Sequence, residues 1–215
     1  MYIFLDYDGT LVEDRSEEFY KLYFSLLSKK SNLPFEVIHK LVMESVYETL
    51  KNNDKEITLF EKFLDIISSK SSLDKNYWIN LFISFYENEF DEIKKVTVPK
   101  ENIIKKIKNT NHKLIFASNP LFPKIAVEKR IKFAGLSPNE FLYVSHMENS
   151  HFAKPNPKFF EEILEKLNLQ PENCVMIGDS DFDKASELAN IRFIHIENND
   201  ELEKLFSENL FNNNE

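Results

Sequence analysis

Five short apolar runs punctuate the chain, and each ends on a polar residue. They are YIFLD (2–6), KLIFAS (113–118), FLYVS (141–145), CVMIGD (174–179) and RFIHIE (192–197). Their length and their β-branched or aromatic content predict strands buried on both faces. Between the later runs the apolar period lengthens to that of a helix. In NPKFFEEILEKLNL, residues Phe159, Phe160, Ile163, Leu164 and Leu167 form one stripe. FPKIAVEKRIKFAGL carries Ile125, Arg130, Ile131 and Ala134 on another, ending near Gly135. DFDKASELAN predicts a third helix. Strand–helix alternation of this kind implies a parallel sheet covered on both sides.

Residues 16–94 follow a different pattern, with no strand-like run. SEEFYKLYFSLLSKK puts Phe19, Leu22, Tyr23, Leu26 and Leu27 on one face, with Ser16 as its expected N-cap. PFEVIHKLVMESVYETLKN opens with Pro34 near the first turn and aligns Val37, Ile38, Leu41, Val42 and Val46. TLFEKFLDIISS and DKNYWINLFISFYENEF predict two more helices. A block of this length is too long for a loop in a compact domain. It reads as an α-helical insert at 16–94, with hinges near Glu13–Ser16 and Asp91–Pro99. Residues 1–15 and 95–215 then form an α/β, Rossmann-like parallel-sheet core flanked by helices. There is no internal repeat, and the tail NLFNNNE (209–215) is expected to fray.

Composition narrows the picture. The formal charge is −9 over 215 residues, which argues against nonspecific binding to nucleic acid or an anionic membrane. No apolar stretch reaches the roughly 18 residues of a membrane span. The start, MYIFLDYDGT, lacks a basic segment and meets acids at once, so it reads as a strand and not a secretion signal. The single cysteine, Cys174, permits no internal disulfide, which suits the cytoplasm; inside NCVMIGD it reads as a buried structural thiol. Glycine is scarce. Ordinary usage would give about fifteen, and the chain has 3. Two of them, Gly9 and Gly178, adjoin aspartates at the ends of apolar runs, where special backbone geometry is needed. Neither a G-x-G-x-x-G motif nor a Walker loop is present.

Candidate chemistry lies at the strand ends. Open parallel sheets bind ligands beyond their carboxyl edges. There stand Asp6 with Asp8, Ser118 with Asn119, and Asp179. In extended chain, residues i and i+2 point the same way, so Asp6 and Asp8 can face one cleft. Two such carboxylates repel unless a cation is shared. Oxygen donors suit Mg²⁺, with Asp179 as a third ligand. No His/Cys cluster has zinc spacing, and His146 and His151 are given no catalytic role.

These residues resemble the four motifs of the haloacid dehalogenase-like hydrolases. DYDGT matches D-x-D-G-T after an apolar strand. FASN matches a strand ending in Ser or Thr. KPNPKFF supplies the lysine before a helix, and GDSDFD matches G-D-x-x-x-D. The order is right, and the resemblance covers about 1–15 and 95–200. Residues 16–94 match the helical, C1-type cap of phosphatase members in position and length only.

The resemblance implies an Mg²⁺-dependent phosphomonoesterase acting on a small phosphorylated metabolite. Asp6 would be the nucleophile, forming an aspartyl-phosphate. Asp8 would protonate the leaving alcohol and then activate water. Asp6, the main-chain carbonyl of Asp8 and Asp179 would hold Mg²⁺, with Asp183 as an auxiliary metal group. Ser118 and Lys154 would hold the phosphoryl group, and Lys154 would also offset the charge at Asp6. Amides around Tyr7–Asp8 and Asn119 would complete the cradle, with Gly9 and Thr10 shaping the turn. A phosphomutase on the same machinery and a non-catalytic phosphate-binding module are the alternatives. Release of free phosphate separates the first of these, and the second would have lost a motif residue, whereas none is lost. Two departures stand out. Asn190 replaces the usual Gly before the last strand, and bulky His151 and Phe152 precede the lysine. The physiological substrate and oligomeric state are not encoded legibly.

Overall fold

A computed structural model describes residues 1–207; the tail 209–215 lies outside them. Five parallel strands form one sheet in the order β3-β2-β1-β4-β5. They are β1 (Tyr2–Leu5), β2 (Lys113–Phe116), β3 (Phe141–Val144), β4 (Cys174–Gly178) and β5 (Arg192–His195). Every crossover contains a helix, as parallel pairing requires. Helices α1 (Ser16–Ser31), α2 (Phe35–Lys51), α3 (Leu59–Ser71) and α4 (Lys75–Glu87) come between β1 and β2, followed by a 3₁₀ segment at Glu89–Val96 and α5 (Glu101–Lys108). Then come α6 (Lys124–Phe133), α7 (Lys158–Leu167), the short α8 (Asp181–Lys184) and α9 (Asn199–Ser207).

The period of two along β1 explains the layering. Ile3 and Leu5 pack with Ile103, Ile104 and Ile107 of α5, Val127 and Ile131 of α6, and Leu202 and Leu205 of α9. Phe4, between them, points the other way and packs with Phe159, Phe160, Ile163 and Leu164 of α7. All three β1 residues are fully buried. The edge strands are not buried on both faces as their composition predicts: Leu142 is 52% exposed and Arg192 is exposed. An edge strand has one neighbour, so flanking helices cover less of it.

The four helices after β1 and the 3₁₀ segment that follows them enclose their own apolar cluster, including Tyr23, Phe24, Ile38, Phe63, Trp78, Phe85 and Phe90. Ala126, Met147 and Ala153 of the sheet half join it. The N-terminus of α3 docks on the loop after β3: Leu59 N donates to Ser150 O (2.8 Å) and Phe60 N to Met147 O (3.1 Å). Lys62, 1% exposed, donates to His151 O at 2.8 Å and Asn52 O at 3.0 Å. Two local expectations need correction. Arg15, not Ser16, is the cap residue of α1, and Asp14 Oδ1 accepts from the Ser16 amide. DFDKASELAN is not one helix: α8 gives way to a 3₁₀ turn, Ala185–Ala189, ended by Asn190 at φ 59°. Asn tolerates this left-handed geometry, so the missing glycine costs little.

Candidate active site

The chain passes from β1 to one flank of the sheet and from β3 to the other, so connections diverge between β1 and β4. A crevice beyond the strand ends is the topological consequence. Asp6 follows β1 and Asp179 follows β4, and their neighbourhood is tied by Asp6 N donating to Ile177 O at 3.1 Å. Carboxylate oxygens of Asp6, Asp179 and Asp183 lie within 4.8 Å of one another.

Glycine makes this convergence possible. Gly9 sits at φ +71°, and a Cβ there would lie 2.0 Å from Asp179 Oδ2. At Gly178 a Cβ would lie 2.3 Å from the Asp183 carboxyl carbon. Two of the chain's three glycines are thus spaces that acids fill. The turn around Gly9 is wound on one acceptor: the amides of Thr10, Leu11 and Val12 all donate to Tyr7 O. Lys100 donates to the Gly9 carbonyl.

Lys154 lies under the carboxylates, 3% exposed. Its Nζ donates to Asp6 Oδ1 at 2.8 Å and to Asp183 Oδ1 at 2.5 Å. Its main chain is held by Asn119, whose Oδ1 accepts from Lys154 N at 3.1 Å and whose Nδ2 donates to Lys154 O at 3.4 Å. Asp183 is fully buried, and its Oδ2 accepts from Asp179 N, Ser180 N and Ser180 Oγ. Both its oxygens are therefore engaged, and it anchors the loop and the lysine together.

The electrostatics follow from burial. Asp6 is pushed up to about 6, first by desolvation; Lys154 opposes this and Asp183 adds to it. Asp179 is also raised, by desolvation and then by Asp183. Burial works against the Lys154 charge, but Asp6 and Asp183 outweigh it and raise the ammonium. One lysine does not balance these carboxylates. A hard divalent cation would, and the donors are all oxygen, so the set fits Mg²⁺.

Asp8 lies near enough to Asp6 for its charge to help raise the Asp6 carboxyl. The strand ends at Leu5 and the turn begins at Gly9, after Asp8. The Asp8 carboxylate is not one of the three that cluster within 4.8 Å. Its side chain instead meets Arg130 Nη2, at 2.6 Å from both oxygens. Ser118 is buried beyond β2, its carbonyl accepting from Ser145 Oγ at 3.1 Å. Thr10 is fully buried, and its Oγ1 has no hydrogen-bond partner among the described residues. His146 and His151 pair with Glu148 and Glu162 and are not members of this cluster. Cys174 is buried and its thiol is raised to about 11 by desolvation, which suits an inert packing role.

Arg130, Lys100 and Lys62 had no motif to announce them. For Arg130 a signal existed: an arginine within an apolar helical stripe needs an opposite charge to pair with.

The family model of haloacid dehalogenase-like hydrolases matches residues 1–186. No curated protein sequence matches the chain. Three solved structures illustrate the likeness of fold. A HAD phosphatase from Thermococcus onnurineus is 18% identical, with a TM-score of 0.56 over 95% of this chain and 96% of that one. The magnesium-bound HAD hydrolase YfnB of Bacillus subtilis is 16% identical, with a TM-score of 0.56 over 95% and 97%. A HAD family enzyme of Bacteroides thetaiotaomicron, in complex with magnesium and inorganic phosphate, is 14% identical, with a TM-score of 0.55 over 90% and 92%.

Proposed function

Since the chain belongs to the haloacid dehalogenase-like hydrolases, we propose that it is a Mg²⁺-dependent phosphomonoesterase for a small phosphorylated metabolite. The observation that carries this reading is the buried Lys154 bridging Asp6 and Asp183 beside Asp179. It leaves one carboxylate, Asp6, fixed at the crevice with an excess of negative charge around it.

Asp6, Asp179 and the Asp8 carbonyl would hold the cation, with Asp183 behind them. Bound there, Mg²⁺ supplies positive charge to the carboxylates and to the phosphoryl oxygens. Asp6 attacks phosphorus, and the bond from phosphorus to the alcohol oxygen breaks. Asp8 enters the step protonated, gives that oxygen its proton, and is left as the carboxylate that pairs with Arg130. Ser118 and Lys154 hold the transferring group, and Lys154 keeps Asp6 aimed. Water then attacks the aspartyl-phosphate, Asp8 takes its proton, and the Asp6–phosphorus bond breaks to free phosphate. Positioning and charge neutralisation do most of the work in such transfers. Residues 16–94 act as the cap over a core of 1–15 and 95–215, and exclude water during transfer.

The test is phosphate release from 4-nitrophenyl phosphate with Mg²⁺, with chelator, and in Asp6→Asn. Turnover is expected only in the untreated protein. Turnover that persists in chelator or in Asp6→Asn overturns the assignment.

A further inference from the structure

We propose that Arg130 is a positioning residue that sets the orientation of the Asp8 carboxylate, and through it the proton transfer to the departing oxygen. The inference rests on the role of Asp8 given above and adds a residue to it.

Arg130 is 5% exposed, on a helix whose neighbouring inward residues are apolar. A buried charge is retained only with compensation. Its compensation is Asp8, which one terminal nitrogen contacts through both oxygens. Burial works against the guanidinium charge, but Asp8, with help from Tyr7 and Asp6, raises it above its ordinary value. The side chain is also caged by rings. The guanidinium carbon lies 4.2 Å from the Tyr7 ring centre, 5.0 Å from Phe122 and 5.6 Å from Phe19. Tyr7 closes the cage covalently and by hydrogen bond: it is the residue before Asp8, and its hydroxyl donates to the Arg130 carbonyl at 2.7 Å. The arginine is therefore held at both ends, its backbone by Tyr7 and its head group by Asp8 and three rings.

Asp8 has little else to hold it. Its side chain is 54% exposed, and Arg130 supplies both of the hydrogen bonds described for it. A misplacement of about 1 Å can cost on the order of 10²-fold in such a step. Phe19 belongs to α1, so the helical insert supplies one wall of the cage that aims a residue of the core.

The experiment compares kcat/KM for a simple alkyl phosphate and for 4-nitrophenyl phosphate, in wild type, Asp8→Asn, Arg130→Gln and Arg130→Lys. This ratio reports only steps up to departure of the alcohol. An alkoxide needs the proton, and 4-nitrophenolate leaves without one. Loss of positioning should lower the alkyl substrate by roughly 10²-fold and the aryl substrate by less than about tenfold, chiefly through kcat. Asp8→Asn should show the same asymmetry, more strongly. Thermal melting establishes that each variant folds, and Arg130→Lys, which keeps the charge but not the planar fork, carries the test where Arg130→Gln does not fold. Equal losses on both substrates would reduce Arg130 to a packing role and overturn the proposal while Asp8 stands. A rise in KM alone would make it a substrate anchor and also overturn it. No asymmetry in Asp8→Asn would overturn the role of Asp8 itself, and the proposal with it.

Discussion

Around Lys154 the sheet half buries one ammonium against two carboxylates, with a third acid beside them. Around Trp78 the helical block buries rings against rings: Trp78 stacks on Phe82 at 5.7 Å, and Phe82 on Tyr86 at 6.2 Å. Tyr23 and Tyr86 pair their hydroxyls at 2.7 Å, and so satisfy each other inside that apolar cluster. The second arrangement follows the ordinary rules of a core. The first does not, because burying ions is costly even when they are paired. Asp6, raised to about 6, registers that cost. The difference teaches where function sits: strain of charge is tolerated at the sheet edge, and packing elsewhere supports it.

Lys154→Ala should have the largest effect. It strands Asp6 and Asp183 without their cation, so about 3–5 kcal/mol of stability should be lost in denaturant melts, together with turnover. Trp78→Ala should cost a similar amount, about 3–5 kcal/mol. Yet kcat for 4-nitrophenyl phosphate, measured below the melting point, should hardly move. A matching loss of kcat would erase the contrast between the two regions.

Gly9→Ala should act mainly on the site. The new methyl would meet the Asp179 carboxylate, and the left-handed backbone adds roughly 1–2 kcal/mol of strain. Mg²⁺ affinity, read by titration, should fall about 10- to 100-fold, the range seen when groups that orient metal ligands are lost.

A smaller effect is the pH dependence of the chelated protein. Asp6 titrates near 6 in the fold against an ordinary 3.8, so its protonated form favours folding. Its contribution to stability is full below the ordinary value and is lost as pH rises through about 6. A divalent cation held by Asp6 would require the ionised form. The gain in Tm on adding Mg²⁺ should therefore be larger at about pH 8 than at about pH 5. The smallest change is Tyr86→Phe, which leaves the Tyr23 hydroxyl without its partner and should cost about 1 kcal/mol with kcat unaltered.

Much of the sheet was legible because its signals are local. An apolar run ending in aspartate marks both a strand and its functional edge, as at Leu5–Asp6 and Gly178–Asp179. The scarcity of glycine pointed to Gly9 and Gly178, and the space each leaves is taken by an acid. What stayed hidden depends on pairings distant in sequence. Asp8 and Arg130 stand 122 residues apart, and Lys62 reaches the His151 carbonyl across 89. No period of two or 3.6 carries such information.

The central claim is that Asp6 accepts the phosphoryl group. Rapid acid quench during turnover of 4-nitrophenyl phosphate with Mg²⁺, followed by peptide mass spectrometry, tests it most directly. A phosphoryl group on the peptide carrying Asp6, absent in Asp6→Asn, is the result expected. Steady phosphate release with that peptide unmodified at every quench time would contradict it.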